Sequence, residues 1–191
     1  MTPASNPLDR FRAYLLLLAR HQLGRQGKGK PEASDIVQQT LLEAYSKRAQ
    51  FRGRTEREYA AWLRRMLACN LADAWRRLGR GKRDAAREHS LEQELEQSSM
   101  RLGSWLAAPD ASPSEKAVQH EEALRAAVAL AQLPEANREA VVLRYYEGLS
   151  LDEISARLNR TTPAVAGLLK RGLKQLREVL RKRSEHDSEQ Q

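Results

Sequence analysis

One cysteine, Cys69, stands among 191 residues, which excludes a disulfide framework and any zinc site built on cysteines. The four histidines, His21, His89, His120 and His186, lie far apart and show no ligand spacing. Aromatic residues make up only 5% of the chain, while Ala, Leu, Arg, Glu and Gln are abundant. That mixture favours helix and argues against sheet. The longest apolar run, Tyr14–Ala19, falls well short of the roughly 20 residues that span a bilayer, and no cleavage site follows it. Neither a signal peptide nor a membrane partner is expected, and the expected location is the cytoplasm. No nucleophile–base pair appears, and the glycines of Gly24–Gly29 follow no strand, so they are not a phosphate loop. The expectation is a protein without catalysis, metal or cofactor.

Acidic residues are in deficit. Asp and Glu number 25 against 33 Lys and Arg, a net charge of +8. The imbalance is local. Arg48–Arg87 carries 12 basic and 4 acidic residues, Glu88–Glu122 carries 2 and 8, and Thr162–Arg183 carries 7 and 1. Two basic blocks therefore flank an acidic spacer. Basic blocks attract polyanions by counterion release, although solvated helix faces have the same composition.

The periodicity predicts helices throughout. Asn6-Pro7 is a start signal, after which Leu8, Phe11, Leu15 and Leu18 share a face. A Gly/Lys/Pro loop over Gly24–Pro31 separates it from a helix over Asp35–Ala49, capped by Ser34, with the stripe Ile36, Val37, Thr40, Leu41, Ala44 and Tyr45. A basic turn, Phe51–Arg54, precedes a long helix opened by a Thr55/Glu58 capping box. Its stripe is Tyr59, Trp62, Leu63, Met66, Asn70, Ala74 and Leu78. Ala85–Ser98 has helical composition but is polar nearly all round, and Ala107–Pro113 reads as linker. Ser112/Glu115 opens a helix to about Gln132, Pro134 another that stops at Gly148, and Ser150/Glu153 a short one to Leu158. After a tight turn at Asn159–Thr161, Thr162-Pro163 opens a helix to about Arg181, and Ser184–Gln191 is expected to be a disordered tail. The fold class is all-α: two small helical domains, residues 6–80 and 112–183, joined by an acidic linker at 81–111.

Ser150–Arg177 has the pattern of a helix-turn-helix, in which Ile154 and Leu158 pack against Val165, Leu169 and Leu176. The second helix would enter the major groove by its N-terminal part. Its positive dipole end and the Thr161 and Thr162 hydroxyls suit phosphate, and Lys170, Arg171 and Lys174 lie off the apolar stripe. An antiparallel helix pair with a solvated basic face shares this periodicity.

At these residues the chain resembles a known family. Leu133–Leu158 (LPEANREAVVLRYYEGLSLDEISARL) and Thr162–Arg177 (TPAVAGLLKRGLKQLR) are similar to the carboxy-terminal domain of bacterial RNA polymerase sigma factors. Ser34–Tyr45 (SDIVQQTLLEAY) resembles the helix by which those factors grip the polymerase clamp. Glu58–Met66 and Asn70–Arg77 resemble the segment that reads the −10 element. The order and the short connection point to the extracytoplasmic-function (ECF) group of the sigma-70 family.

The resemblance implies an alternative sigma factor. Its partners would be core RNA polymerase, through the clamp and flap regions, and promoter DNA, with an anti-sigma factor as a further candidate. Asp35, Gln38 and Gln39 would face polymerase. Arg52, Arg54, Arg57, Arg64, Arg65, Arg76 and Arg77 would serve −10 binding, with a pocket for an everted base at Phe51–Glu56. Thr161, Thr162, Ala166, Lys170, Arg171 and Lys174 would serve −35 binding. The acidic linker would thread toward the RNA exit path and mimic nucleic acid there. Where the family often has polar residues, this chain has Ala164, Ala166, Gly167 and Leu168, so readout would lean on backbone contacts and DNA shape. Cys69 is read as a small packing residue and Trp62 as core, with Trp75 balanced between core and base stacking. The rival reading is a free-standing helix-turn-helix regulator, which has no need of a clamp helix.

Overall fold

The computed structural model describes residues 7–24, 31–77, 85–106 and 116–188; side chains are described at 11–24, 31–77, 88–104 and 121–182. Every regular element among them is helical. The chain divides into two compact units, Met1–Leu124 and Arg125–Gln191, and the division falls within α5 (Lys116–Ala131).

The first unit contains α1 (Pro7–Gly24), α2 (Ala33–Ser46), α3 (Glu56–Arg77) and α4 (Ala85–Leu106). α3 packs against α1, α2 and α4, and α1 also meets α2 and α4. The core is the sum of the apolar stripes: Phe11, Leu15 and Leu18 of α1, Ile36 and Val37 of α2, Leu63, Leu67 and Leu71 of α3 are all buried. A polar tie crosses this core. Asn70 Nδ2 donates to Thr40 Oγ1 at 3.1 Å, and the Thr40 hydroxyl donates to Ile36 O at 2.8 Å. Trp75 is buried, which decides for it the core role.

Three expectations need correction in this unit. α2 begins at Ala33, after Glu32, so Ser34 lies inside it and caps nothing; the helix ends at Ser46, with a separate 3-10 turn at Arg48–Gln50. Tyr45 was expected on the buried stripe but is 72% exposed, because α3 covers only the Ile36/Val37/Thr40/Ala44 side. The largest change concerns α4, which replaces most of the expected linker. Leu91, Leu95 and Leu102, with Ser98 and Ser99, are buried along one narrow side, against α3 and α1. The Ser112/Glu115 capping box and the loop at 25–30 lie outside the described residues.

The second unit is built on α6 (Glu135–Val141), a π turn (Val142–Tyr146), α7 (Leu151–Leu158) and α8 (Thr162–Ser188). The π turn is closed by Glu147 N–H donating to Val142 O at 3.0 Å, and Gly148 then reverses the chain at φ +78°, where a side chain would strain the backbone. α8 packs against α6 and α7. Gly172 marks the closest approach: a Cβ there would fall 2.7 Å from Val141 Cγ2 and 3.2 Å from Asn137 O. Beside it Asn137 Nδ2 donates to Gln175 Oε1 at 2.9 Å. α8 continues to Ser188, through most of the segment expected to be a disordered tail.

Candidate nucleic-acid and polymerase interface

The helix-turn-helix forms as its sequence dictates. Ser150 Oγ accepts from Glu153 N–H at 3.3 Å, and Glu153 Oε2 accepts from Ser150 N–H at 2.8 Å, a reciprocal cap for α7. α7 ends at Asn159, whose left-handed φ of 50° starts the turn into α8. Ile154, Val165, Leu169 and Leu176 are buried, as the stripe predicted.

Thr161, just before α8, and Pro163, Ala164, Ala166, Lys170, Arg171 and Lys174 on it are exposed. Thr162 differs. Its hydroxyl points at Asp152 Oδ1 at 3.4 Å and lies 3.3 Å from Ser155 Oγ, so it ties α8 to α7. Gly167 leaves a space beside Arg171: a Cβ would stand 3.3 Å from Arg171 Nη1. The outward face of the first turns is therefore short methyl groups, followed one turn later by three cations.

In the first unit the Thr55/Glu58 box also forms. Glu58 Oε2 accepts from the backbone N–H groups of Arg54 (2.8 Å) and Thr55 (2.9 Å), while Glu58 N–H donates to Thr55 Oγ1 at 3.2 Å. Those two backbone donors, and the Thr55 hydroxyl with them, hold the Glu58 carboxyl below its ordinary value. Phe51 is anchored by an aromatic cluster, with ring centroids 5.1 Å from Tyr59 and 5.2 Å from Trp62. Trp62 is thus half-buried against the loop, not deep in the core. Gly53 is required there, because a Cβ would lie 2.3 Å from Phe51 Cζ and 2.9 Å from Glu58 Cβ. Arg52, Arg54 and Arg57 are exposed around this braced loop.

The other four arginines do not form a free row. Arg64 is only 3% exposed; its guanidinium donates to Tyr14 OH at 2.9 Å and is paired with Glu96 of α4. Tyr14 OH in turn donates to Ser99 Oγ at 2.7 Å, and burial holds this phenol above its ordinary value against the pull of Arg64. Arg64 is a buried strut of α1, α3 and α4, which corrects its expected place on DNA: a cation enclosed with its own counter-ion is spent on the fold. Arg65 pairs with Glu92 at 3.0 Å, and Arg76 with Asp73 and, at 3.6 Å, with Glu88. Arg77 is exposed. Cys69 is also exposed, not a packing residue.

α2 turns Asp35, Gln38 and Gln39 outward together. Gln39 Nε2 donates to Glu43 Oε1 at 2.8 Å. The same face carries Leu42, which no motif singles out, at 58% exposure, and Tyr45, which the stripe would bury, at 72%. Their spacing from Asp35 and Gln38 (i, i+3, i+7, i+10) was the available signal. Leu42 and Tyr45 thus place two large apolar side chains on an otherwise polar outward face, toward the C-terminal end of α2.

A family model described as sigma-70, region 4 matches residues 123–176, so the helix-turn-helix is of the sigma type. The ECF RNA polymerase sigma factor SigD of Mycobacterium tuberculosis is 29% identical over 173 residues, 91% of this chain and 74% of that one. The ECF RNA polymerase sigma factor SigE of Mycolicibacterium smegmatis is 30% identical over 155 residues, 80% of this chain and 53% of that one. A solved structure of the sigma factor RpoE, in complex with the anti-sigma factor NepR, from Bartonella quintana covers 91% of both chains at 22% identity, with a TM-score of 0.32. The region 4 match and the likeness to these relatives support an ECF member of the sigma-70 family, an alternative sigma factor. The free-standing regulator is disfavoured, because the likeness to SigD runs through both units. Among the described residues no helix is long and apolar enough to cross a membrane.

Proposed function

We propose that the first unit docks on the polymerase clamp through the outward face of α2 and opens the −10 region at the loop preceding α3. The second unit binds the −35 element through α8 and meets the flap. Residues 6–80 and α4 serve the first task and 112–183 the second. The reading is carried by one observation: Asp35, Gln38, Gln39, Leu42 and Tyr45 share an outward face with two large apolar side chains in it. Arg52, Arg54 and Arg57 stand around a loop stiffened by Glu58 and Phe51, where a single strand can be followed by cations and an everted base received. On α8, Ala164 and Ala166 offer methyl contact to thymine, while Lys170, Arg171 and Lys174 hold phosphate or base edges. A role at the promoter puts the chain in the cytoplasm, and an anti-sigma factor competing for α2 is a natural regulator.

The test is a titration of core polymerase with the full chain. Leu42→Ala with Tyr45→Ala should weaken binding by tenfold or more if these are the buried anchors of the interface. Asp35→Ala with Gln38→Ala should weaken it less. Helix content should not change in either. Unaltered affinity in both pairs of variants would refute docking through α2.

A further inference from the structure

α4 carries Glu88, Glu92 and Glu96 at four-residue intervals, each step about 6 Å along a helix. Opposite them, α3 presents Arg76, Arg65 and Arg64, and each glutamate meets one arginine. The three pairs are not alike. Arg64–Glu96 is tied into the core through Tyr14, and Leu91, Leu95 and Leu102 seat the helix beside it. Arg65–Glu92 and Arg76–Glu88 lie at the edge of the same seam, with the Arg65 side chain 67% exposed and that of Arg76 28%. Arg65 and Arg76 are eleven residues apart, about three turns, and so share one face of α3. Exposed pairs of this kind are weak and exchange readily with other anions. A phosphate can replace either carboxylate without α4 leaving its seat.

We propose that Glu88 and Glu92 are built-in competitors for nucleic acid. They occupy Arg65 and, with Asp73 of α3 itself, Arg76 until a DNA strand supplies enough phosphates to take them over. The inner pair and the leucines keep α4 docked, so the exchange happens at the edge and is reversible. The effect is a threshold. A short or weakly held polyanion meets only Arg52, Arg54 and Arg57, whereas a strand already engaged at the loop recruits two further cations. This rests on the reading, given under Proposed function, that a DNA strand is held at the loop preceding α3.

The experiment uses the full chain and a fluorescein-labelled, mixed-sequence single strand of about 20 nucleotides, followed by anisotropy across a salt series. Each freed arginine adds one phosphate contact, which steepens the salt slope by about 0.7 and tightens binding about fivefold at 0.1 M salt. Glu92→Gln should show that gain; a further one requires Glu88→Gln together with Asp73→Asn, because Arg76 also pairs with Asp73. Glu94→Gln removes the same charge about 200° round the same helix, away from the seam, and should change affinity less than twofold. Arg65→Gln in the Glu92→Gln background should abolish the gain. Equal effects of Glu92→Gln and Glu94→Gln, or a gain that survives Arg65→Gln, would overturn the proposal, since net charge alone would then explain it. Arg54→Ala with Arg57→Ala separates the two readings. If that pair weakens binding while Glu92→Gln does nothing, the competitor idea alone fails. If neither has any effect, the assignment of the loop preceding α3 to nucleic acid fails with it.

Discussion

Gly167 and Gly172 lie five residues apart on α8, and the same substitution should act on them with opposite sign. Alanine is favoured over glycine in a helix interior by about 1 kcal/mol. At Gly167 the new methyl meets only the Arg171 guanidinium, 3.3 Å away at Nη1, and that exposed group swings outward at little cost. Gly167→Ala should therefore stabilise the second unit by about 0.5–1 kcal/mol. At Gly172 the methyl falls 2.7 Å from Val141 Cγ2 and 3.2 Å from the Asn137 carbonyl. Neither can yield. Val141 is fully buried with a stiff β-branched side chain, and the carbonyl belongs to α6 itself. Separating the two helices costs about 1–3 kcal/mol, as overpacking does, and offsets the propensity gain. The two variants should then differ by roughly 1–3 kcal/mol, with Gly172→Ala the less stable. Urea unfolding followed by circular dichroism at 222 nm measures this. Trp62, Trp75 and Trp105 all precede Arg125, so tryptophan fluorescence should report the first unit and stay unchanged in both variants. If both substitutions stabilise equally, α6 and α8 do not approach closely at Gly172, and the packing argument is wrong.

Leu95→Ala should cost about 2–5 kcal/mol in the first unit, seen in the tryptophan-detected transition; a cost near zero would mean that α4 is a loose connection after all. The Cys69 thiol is held above its ordinary value by partial burial first, then by the carboxylates of Glu88, Glu92 and Glu43. Glu92→Gln should lower it and speed alkylation of Cys69 at fixed neutral pH, and an unchanged rate would place Glu92 elsewhere. The Glu58 and Glu153 carboxyls are depressed by their capping hydrogen bonds, so what they contribute is present above the ordinary carboxylate range and lost as pH falls through their lowered values. Helix content should thus fall below about pH 4 less steeply in Glu58→Gln and Glu153→Gln than in the parent chain, with circular dichroism as the readout.

What the sequence determined by itself was local. The capping boxes at Thr55/Glu58 and Ser150/Glu153 span three residues, and the turn at Asn159 one, so chemistry along the chain fixes them before any tertiary contact exists. The stripes of α1, α7 and α8 were legible for the same reason, and with them the helix-turn-helix. Tertiary structure decided which side chains of one residue type are free. Arg52 and Arg64 look alike in a charge count, yet Arg64 meets a tyrosine 50 positions earlier and a glutamate 32 positions later. α4 looked polar nearly all round because its leucines recur at i, i+4 and i+11, a stripe too thin to stand out among Glu and Gln. Its glutamates read as a solvated acidic run until α3 lies opposite with an arginine within reach of each. Leu42 and Tyr45 needed the complementary fact that, among the described residues, no element of the first unit covers their side of α2. An ion pair between helices is a property of two distant segments at once, and only the folded chain brings those segments within the few ångströms at which charge acts.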